Sequence, residues 1–195
     1  MPRMRRKKYR VLYADPPWKF NNIGKKPSTE KSTLFHSMNS EKHYDVMPLQ
    51  DLKDMPINNV MDGNSALFLW VLGGYLQQGL DLMYHWGYTY KAVAFVWVKV
   101  HKSGKLRNNL GPWTLPGSEM CLLGTRGNVH KDYAVGYTEK QVHTGEVLAH
   151  SKKPDEFRRK IERMFPDQNR LELFAREENS GWDVFGNQVE NSIQI

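Results

Sequence analysis

The chain alternates between short, wholly apolar runs and longer stretches in which apolar residues recur every three or four positions. Residues 11–14 (VLYA), 66–71 (ALFLWV), 92–100 (AVAFVWVKV), 119–125 (EMCLLGT) and 170–176 (RLELFAR) read as strands. Apolar runs with little alternation belong to strands covered on both faces. A short helix is expected after Pro48, with Leu49, Leu52 and Met55 on one face. A second helix runs through GGYLQQGLDLMYHWGY and ends near Gly87. A third, KPDEFRRKIERMF (153–165), turns Phe157, Ile161, Met164 and Phe165 inward. It enters through Pro154, with Asp155 and Glu156 in the first turn, where acids favour the helix dipole. Strands alternating with helices predict a mixed, three-layer α/β sheet. Residues 19–43 are polar and lysine-rich, and a connection of that length is expected to be a functional lid or disordered.

At 195 residues the chain is large enough for one domain with one sizeable core. The expected division is a basic tail over residues 1–9 and a single domain over 10–190. Six tryptophans, nine tyrosines and eight phenylalanines fit a folded globule, not a disordered chain. The one cysteine, Cys121, excludes an internal disulfide framework and falls in a strand pattern, as an inert core thiol would. Seven histidines without HxH or HxxxH spacing give no metal site. No apolar stretch approaches the roughly 20 residues of a membrane span, and no signal-peptide pattern follows the basic amino terminus. A cytoplasmic protein is the expectation.

Charge changes the picture more. The net charge of +7 is concentrated in Arg3, Arg5, Arg6, Lys7, Lys8 and Arg10, and in a second group, Lys99, Lys102, Lys105 and Arg107. Two separated basic segments in a small domain point to nucleic acid, against the plainer reading of a solvated tail and loop. The stretch LGGYLQQG follows a strand and opens a helix, but it is neither GxGxxG nor a P-loop. It reads as a tight turn.

The chemistry lies in VLYADPPWKF (11–20). Pro16 and Pro17 lack the N–H a ladder needs, so the first strand must stop at Asp15. A carboxylate is thereby placed at the carboxyl end of a central strand, where open α/β sheets bind ligands. Such a tetrad suits an exocyclic ring amine, whose nitrogen lone pair is delocalised and poorly nucleophilic. Acceptors at each N–H, the Asp15 carboxylate and the Pro16 carbonyl, would draw that nitrogen toward tetrahedral geometry. Pro17 restricts where the carbonyl points, and Trp18 offers a face for the base. No general base is needed before transfer, because the amine becomes acidic only once alkylated.

The Asp-Pro-Pro-Trp tetrad resembles motif IV of amino-methyltransferases that use S-adenosylmethionine. Its tryptophan is similar to that of the adenine methyltransferase family which includes the catalytic subunit of the eukaryotic mRNA adenosine methyltransferase. HSKKPDEF (150–157) and LELFAREENSGWDVFGNQ (171–188) carry the same resemblance. HYDVMPLQDLKDMPI, LFLWV, FVWVK and GSEMCLLGTRG match in type and order, so it spans roughly residues 9–190.

That resemblance implies a three-layer, Rossmann-like methyltransferase fold with permuted motif order, the tetrad preceding the main cofactor strand. It implies S-adenosylmethionine contacts at Asp15, Lys153, Arg176, Asn179, Asn187 and Gln188. Lys153 suits the methionine carboxylate, Arg176 and Asn179 the ribose hydroxyls, and the two amides can donate and accept at once. Tyr44, Trp113 and Glu119, with Trp18, are implied around the acceptor adenine. Glu172 and Phe174 read equally well as strand residues packing the sheet or as ligands. Ala175 stands where glycine is common, and Glu177 and Glu178 make the ribose region unusually acidic.

The reading is an enzyme that methylates the 6-amino group of adenine in nucleic acid, with DNA ahead of RNA because the chain is compact and bears no eukaryotic extensions. A catalytically silent nucleic-acid-binding partner is the alternative from another class, but such a subunit is expected to lose the tetrad or the cofactor residues. Glutamine methylation of proteins goes with Asn-Pro-Pro-Tyr, which Asp15 and Trp18 oppose. A homodimer is expected only on the ground of small size.

Overall fold

The computed structural model describes residues 7–19, 46–111, 113–129, 138–147 and 152–195. The candidate lid beyond Lys19, Tyr44 and the tail residues Arg3, Arg5 and Arg6 lie outside the described residues. The first strand, β1 (Tyr9–Ala14), is buried along nearly its whole length and stops one residue before Asp15. After it come α1 (Leu49–Asp54), β2 (Met61–Val71), α2 (Leu76–His85), β3 (Thr89–Val100), β4 (Ser118–Arg126), β5 (Val142–Glu146), α3 (Glu156–Met164), β6 (Arg170–Leu173) and β7 (Asp183–Phe185).

The strands form one sheet in the order β5-β3-β4-β2-β1-β6-β7. β1 pairs in parallel with β2 and β6, β6 with β7, and β3 with β5, whereas β4 runs antiparallel to both β2 and β3. The alternation of side chains across the pleat explains the apolar runs. Leu12, Ala14, Leu67, Leu69, Leu171 and Leu173 face one side, against Leu52 of α1, Leu82 and Met83 of α2, and Trp86 just after it. Val11, Tyr13, Phe68, Trp70, Phe95 and Trp97 face the other, against Phe157 and Ile161 of α3. Helices cover both faces, giving the three layers expected. Gly124 of β4 lets α2 close down, since a Cβ there would come within 2.6 Å of the Met83 sulfur.

Connectivity sets the site. From β1 the chain moves to β2 on one side, and from β6 to β7 on the other, so the neighbours β1 and β6 form a topological switch point. Ligands bind outside the carboxyl ends of such strands. The tetrad on β1 precedes β6 in sequence yet sits beside it, as the permuted order requires.

Several boundaries differ from the sequence reading: β2 begins at Met61, not 66, and β3 at Thr89, not 92. The third helix begins at Glu156, not 153, leaving Lys152 to Pro154 outside it. β6 ends at Leu173 because Phe174 takes a φ of 61°, which turns the chain out of the sheet. β5 and β7 were not expected. They are short edge strands without an apolar run. Among the described residues, no helix is long and apolar enough to cross a membrane.

Candidate active site

The backbone of the tetrad is held tightly. The Trp18 N–H donates to the Pro16 carbonyl at 2.9 Å, and Met47 N–H donates to the Pro17 carbonyl at 2.8 Å. Pro16 O keeps a second lone pair for another donor. Trp18 does not stand out as an open platform. It is 6% exposed, its indole N–H reaches the Trp70 carbonyl at 3.3 Å, and its ring packs near Tyr75. It forms a wall of the crevice, and the free stacking face expected for the base is largely occupied by protein.

Asp15 is the more open member, with 29% of its side chain exposed. Lys153 Nζ donates to Asp15 Oδ2 at 2.6 Å and lies 3.1 Å from Glu119 Oε2. The other oxygen of Glu119 accepts from Lys99. Both lysines sit over aromatic faces, Lys153 at 5.3 Å from the Trp70 ring and Lys99 at 5.1 Å from Trp97. Burial alone would lower the Lys153 pKa, but Asp15 and Glu119 outweigh it and hold the ammonium protonated above the usual lysine range. Burial likewise works against charge on Glu119, and the two lysines overcome it, leaving its carboxyl below the ordinary value.

Asp15, Pro16, Pro17, Trp18, Trp70, Glu119, Lys153 and Arg176 line one crevice. A second hollow shares Asp15, Lys153 and Arg176 with it and continues past Glu172, Phe174 and Glu177. Arg158 of α3 grips Glu172 through two bonds of 2.7 Å, the fork geometry that guanidinium favours. With both its oxygens engaged, Glu172 is first of all a paired strand residue. Burial pushes its pKa up, and Arg158 only partly opposes this. Glu177 bonds Lys152 at 2.9 Å, which offsets the extra acidity read from the sequence.

Arg176 borders both hollows, while Asn179 reaches the Glu177 carbonyl at 3.4 Å. Asn187 and Gln188 are exposed in the turn after β7, at the same sheet edge. Gly186 brings that turn against the end of β6, since a Cβ there would meet the Ala175 carbonyl at 2.1 Å. Trp113 is 94% exposed in the loop between β3 and β4, and does not line the crevice.

The basic segments need correction. Lys99 is only 7% exposed and turns inward onto Glu119, so its ammonium does not face a phosphate. In the tail, Lys7 pairs with Asp183 at 2.5 Å and Lys8 donates to the Asn59 carbonyl at 2.7 Å. Lys99 and Arg158 were missed as site residues. A signal existed for Lys99, because it shares a strand face with Phe95 and Trp97, and a lysine on a buried face demands a carboxylate.

Comparison with known proteins agrees with this geometry. The MT-A70 family model matches residues 9–188. The Type II methyltransferase M.MunI of a Mycoplasma species is 33% identical over 208 aligned residues, covering 100% of this chain and 84% of that protein. The human N(6)-adenosine-methyltransferase catalytic subunit METTL3 is 29% identical over 190 residues, 94% of this chain but 28% of that protein. The MT-A70-like N(6)-adenosine-methyltransferase of Arabidopsis thaliana is 28% identical, over 95% of this chain and 24% of its own length. The chain thus spans about a quarter of those two relatives and most of the first. With the tetrad, the switch-point crevice and a family model running from β1 past β7, the chain belongs to the MT-A70 family, the S-adenosylmethionine-dependent adenine methyltransferases that its motifs resemble.

Proposed function

We propose that this adenine methyltransferase acts on DNA, transferring methyl to the 6-amino group of adenine with Asp15 and the Pro16 carbonyl as the groups that activate the amine. The observation that carries the site assignment is the Asp15–Lys153 pair at the β1/β6 switch point, where the two hollows join. Support for DNA is the match to the Type II methyltransferase, higher in identity and far fuller in length than the matches to the N(6)-adenosine enzymes.

The donor set fits S-adenosylmethionine, a zwitterion carrying a ribose diol and an adenine. Lys153 has three N–H donors, of which Asp15 and Glu119 take two, leaving one for the methionine carboxylate. Asp15 is suited to the methionine ammonium as well as to the acceptor amine. Arg176 and Asn179 suit the ribose, and the Asn187 and Gln188 amides suit the adenine. When bound, the cofactor supplies a methyl group on a positively charged sulfur. On the acceptor side, Lys153 holds Asp15 Oδ2, so Oδ1 is the oxygen that accepts an amine N–H. The Pro16 carbonyl accepts the other. Both acceptors favour the positive charge that develops as nitrogen bonds to carbon, and each preorganised group of this kind contributes about 2.7–4 kcal/mol. As the N–C bond formed, the methyl–sulfur bond would break with its electron pair going to sulfur, S-adenosylhomocysteine would leave as a neutral thioether, and the acidic alkylated nitrogen would lose its proton to water.

The test is incubation with labelled cofactor and DNA, RNA or protein, followed by nucleoside analysis. N6-methyladenine in DNA is expected. Label confined to RNA would overturn the DNA assignment, and label in protein would overturn the adenine chemistry.

A further inference from the structure

Lys99 stands at one end of a row of four alternating charges, Lys99–Glu119–Lys153–Asp15. Three of the four are nearly buried, with exposures of 7%, 5% and 6% for Lys99, Glu119 and Lys153. Glu119, Lys153 and Asp15 all border the crevice, but only Asp15, the last, is appreciably exposed. A buried ion pair is weak evidence of stabilisation, because desolvation offsets most of the attraction. The row has a directional feature that a simple pair lacks. A lysine ammonium sits on a flexible stem and goes where its carboxylates are. Lys153 precedes α3 and is therefore placed by Glu119 and Asp15. Glu119 divides its oxygens, Oε1 to Lys99 and Oε2 to Lys153. Without Lys99, Oε1 loses its cationic partner, and the carboxylate that places Lys153 is no longer held in this orientation.

The backbone of Lys99 anchors a second structure. Its N–H donates to the Gly117 carbonyl and its own carbonyl accepts from the Arg107 N–H, both at 2.8 Å. One residue therefore holds the base of the β3–β4 loop through its main chain, and the row of charges through its side chain. Nothing in the tetrad or the cofactor contacts requires this arrangement.

We propose that Lys99 is a positioning residue for methyl transfer: it fixes Glu119, which fixes Lys153, which sets the orientation of the Asp15 carboxylate. The inference rests on Asp15 being the amine acceptor in the reading above. It also removes Lys99 from the phosphate-contacting set.

The experiment compares the wild-type chain with Lys99→Met, which keeps the volume and removes the charge, and Lys99→Arg, which keeps the charge. Turnover, KM for S-adenosylmethionine, the salt dependence of DNA affinity and the melting temperature are measured for each. In Lys99→Met, kcat is expected to fall about ten- to a hundredfold, the scale of a small misplacement of a reacting group. The salt slope is expected to be unchanged, any rise in KM for the cofactor to be smaller than the fall in kcat because Lys153 keeps a donor for the methionine carboxylate, and Lys99→Arg should recover most of the missing turnover. Wild-type kcat in Lys99→Met would overturn the proposal. A shallower salt slope with unchanged kcat would overturn it too, by making Lys99 a phosphate ligand. Where Lys99→Met fails to fold, Glu119→Gln, which keeps shape and removes charge from the next link, must show the same kcat-selective loss; normal turnover there overturns the proposal. A wild-type chain that methylates no adenine at all would instead sink the parent reading, a result separable from failure of the variants alone.

Discussion

Lys153 and Asp15 lie 138 positions apart in sequence, and their side chains meet at 2.6 Å where β1 and β6 end. The contact joins the segment ahead of α3 to the tetrad. Under the proposed reading it leaves Asp15 Oδ1 for the acceptor amine.

Asp15→Asn should therefore lose at least about two orders of magnitude in turnover, since the amide keeps an acceptor but removes the charge that opposes the developing cation. The fold should survive, because Asp15 lies at a strand end and is 29% exposed. Steady-state kinetics with circular dichroism checks both halves. Near-normal turnover would remove Asp15 from the catalytic role.

Cofactor affinity offers an independent reading. Arg176→Ala and Asn187→Ala each remove a hydrogen-bonding partner and should weaken S-adenosylhomocysteine binding about ten- to a hundredfold, from a cost of about 1.5–3 kcal/mol. Calorimetric titration measures this directly. Lys153→Ala should behave differently, because it strands two carboxylates and should destabilise the fold by about 3–5 kcal/mol as well.

Trp18→Ala should also act first on stability. The ring is 6% exposed and packs in the core cluster on the α1/α2 face. Truncation of such a residue costs about 3–5 kcal/mol. Chemical denaturation of the variant is the check, and a loss of activity with unchanged stability would restore Trp18 to a pure base-stacking role.

The two buried glutamates should give opposite pH signatures in unfolding experiments. The Glu119 carboxyl is held below its ordinary value of 4.5, net of burial, by Lys153 and Lys99. Its stabilising share is thus fully present above 4.5 and disappears as pH falls through the lowered folded value. Glu172 is raised, mainly by burial, so its charged form costs stability at neutral pH and that cost vanishes in acid. Relative to wild type, Glu119→Gln should compare less unfavourably as pH falls below about 4.5, and Glu172→Gln more unfavourably as pH falls toward about 4.5 through the raised folded value. Denaturant melts across the acid range measure both slopes, and parallel slopes would contradict the assignment.

Salt titration of DNA binding separates the lysines of the second basic segment. Lys102, Lys105 and Arg107 are exposed or partly exposed. Neutralising them should lower the slope of log affinity against log salt by about 0.9 for each duplex phosphate that they pair with. An unchanged slope would assign phosphate capture to other parts of the surface.

Much of this site could be read from the chain itself, for identifiable reasons. Residues 11–14 and 66–71 are apolar without interruption, and only a strand buried on both faces accounts for that. Asp15 followed by two prolines fixes where the first strand ends. β5 and β7 escaped because Val-His-Thr-Gly-Glu and Asp-Val-Phe lie at sheet edges, where partner strands, not burial, make them strands. The exposed position of Trp113 and the buried one of Trp18 depend on tertiary packing, which composition does not encode. Lys99 was assigned by its neighbours in sequence, Lys102, Lys105 and Arg107, when its strand face linked it instead to Phe95 and Trp97.

The parallel pairing of β1 with β6, in which Val11 meets Arg170, also governs the order of events during synthesis. The tetrad is made well before the strand that completes its far side. Until residues 170–173 emerge, one edge of β1 has no partner, and Lys153 has joined the chain only shortly before. Long-range parallel pairings of this kind form slowly and leave strand edges exposed meanwhile. The nascent chain therefore carries the tetrad without the Lys153 and Arg176 side of the crevice, which is complete only when the two ends of the domain meet.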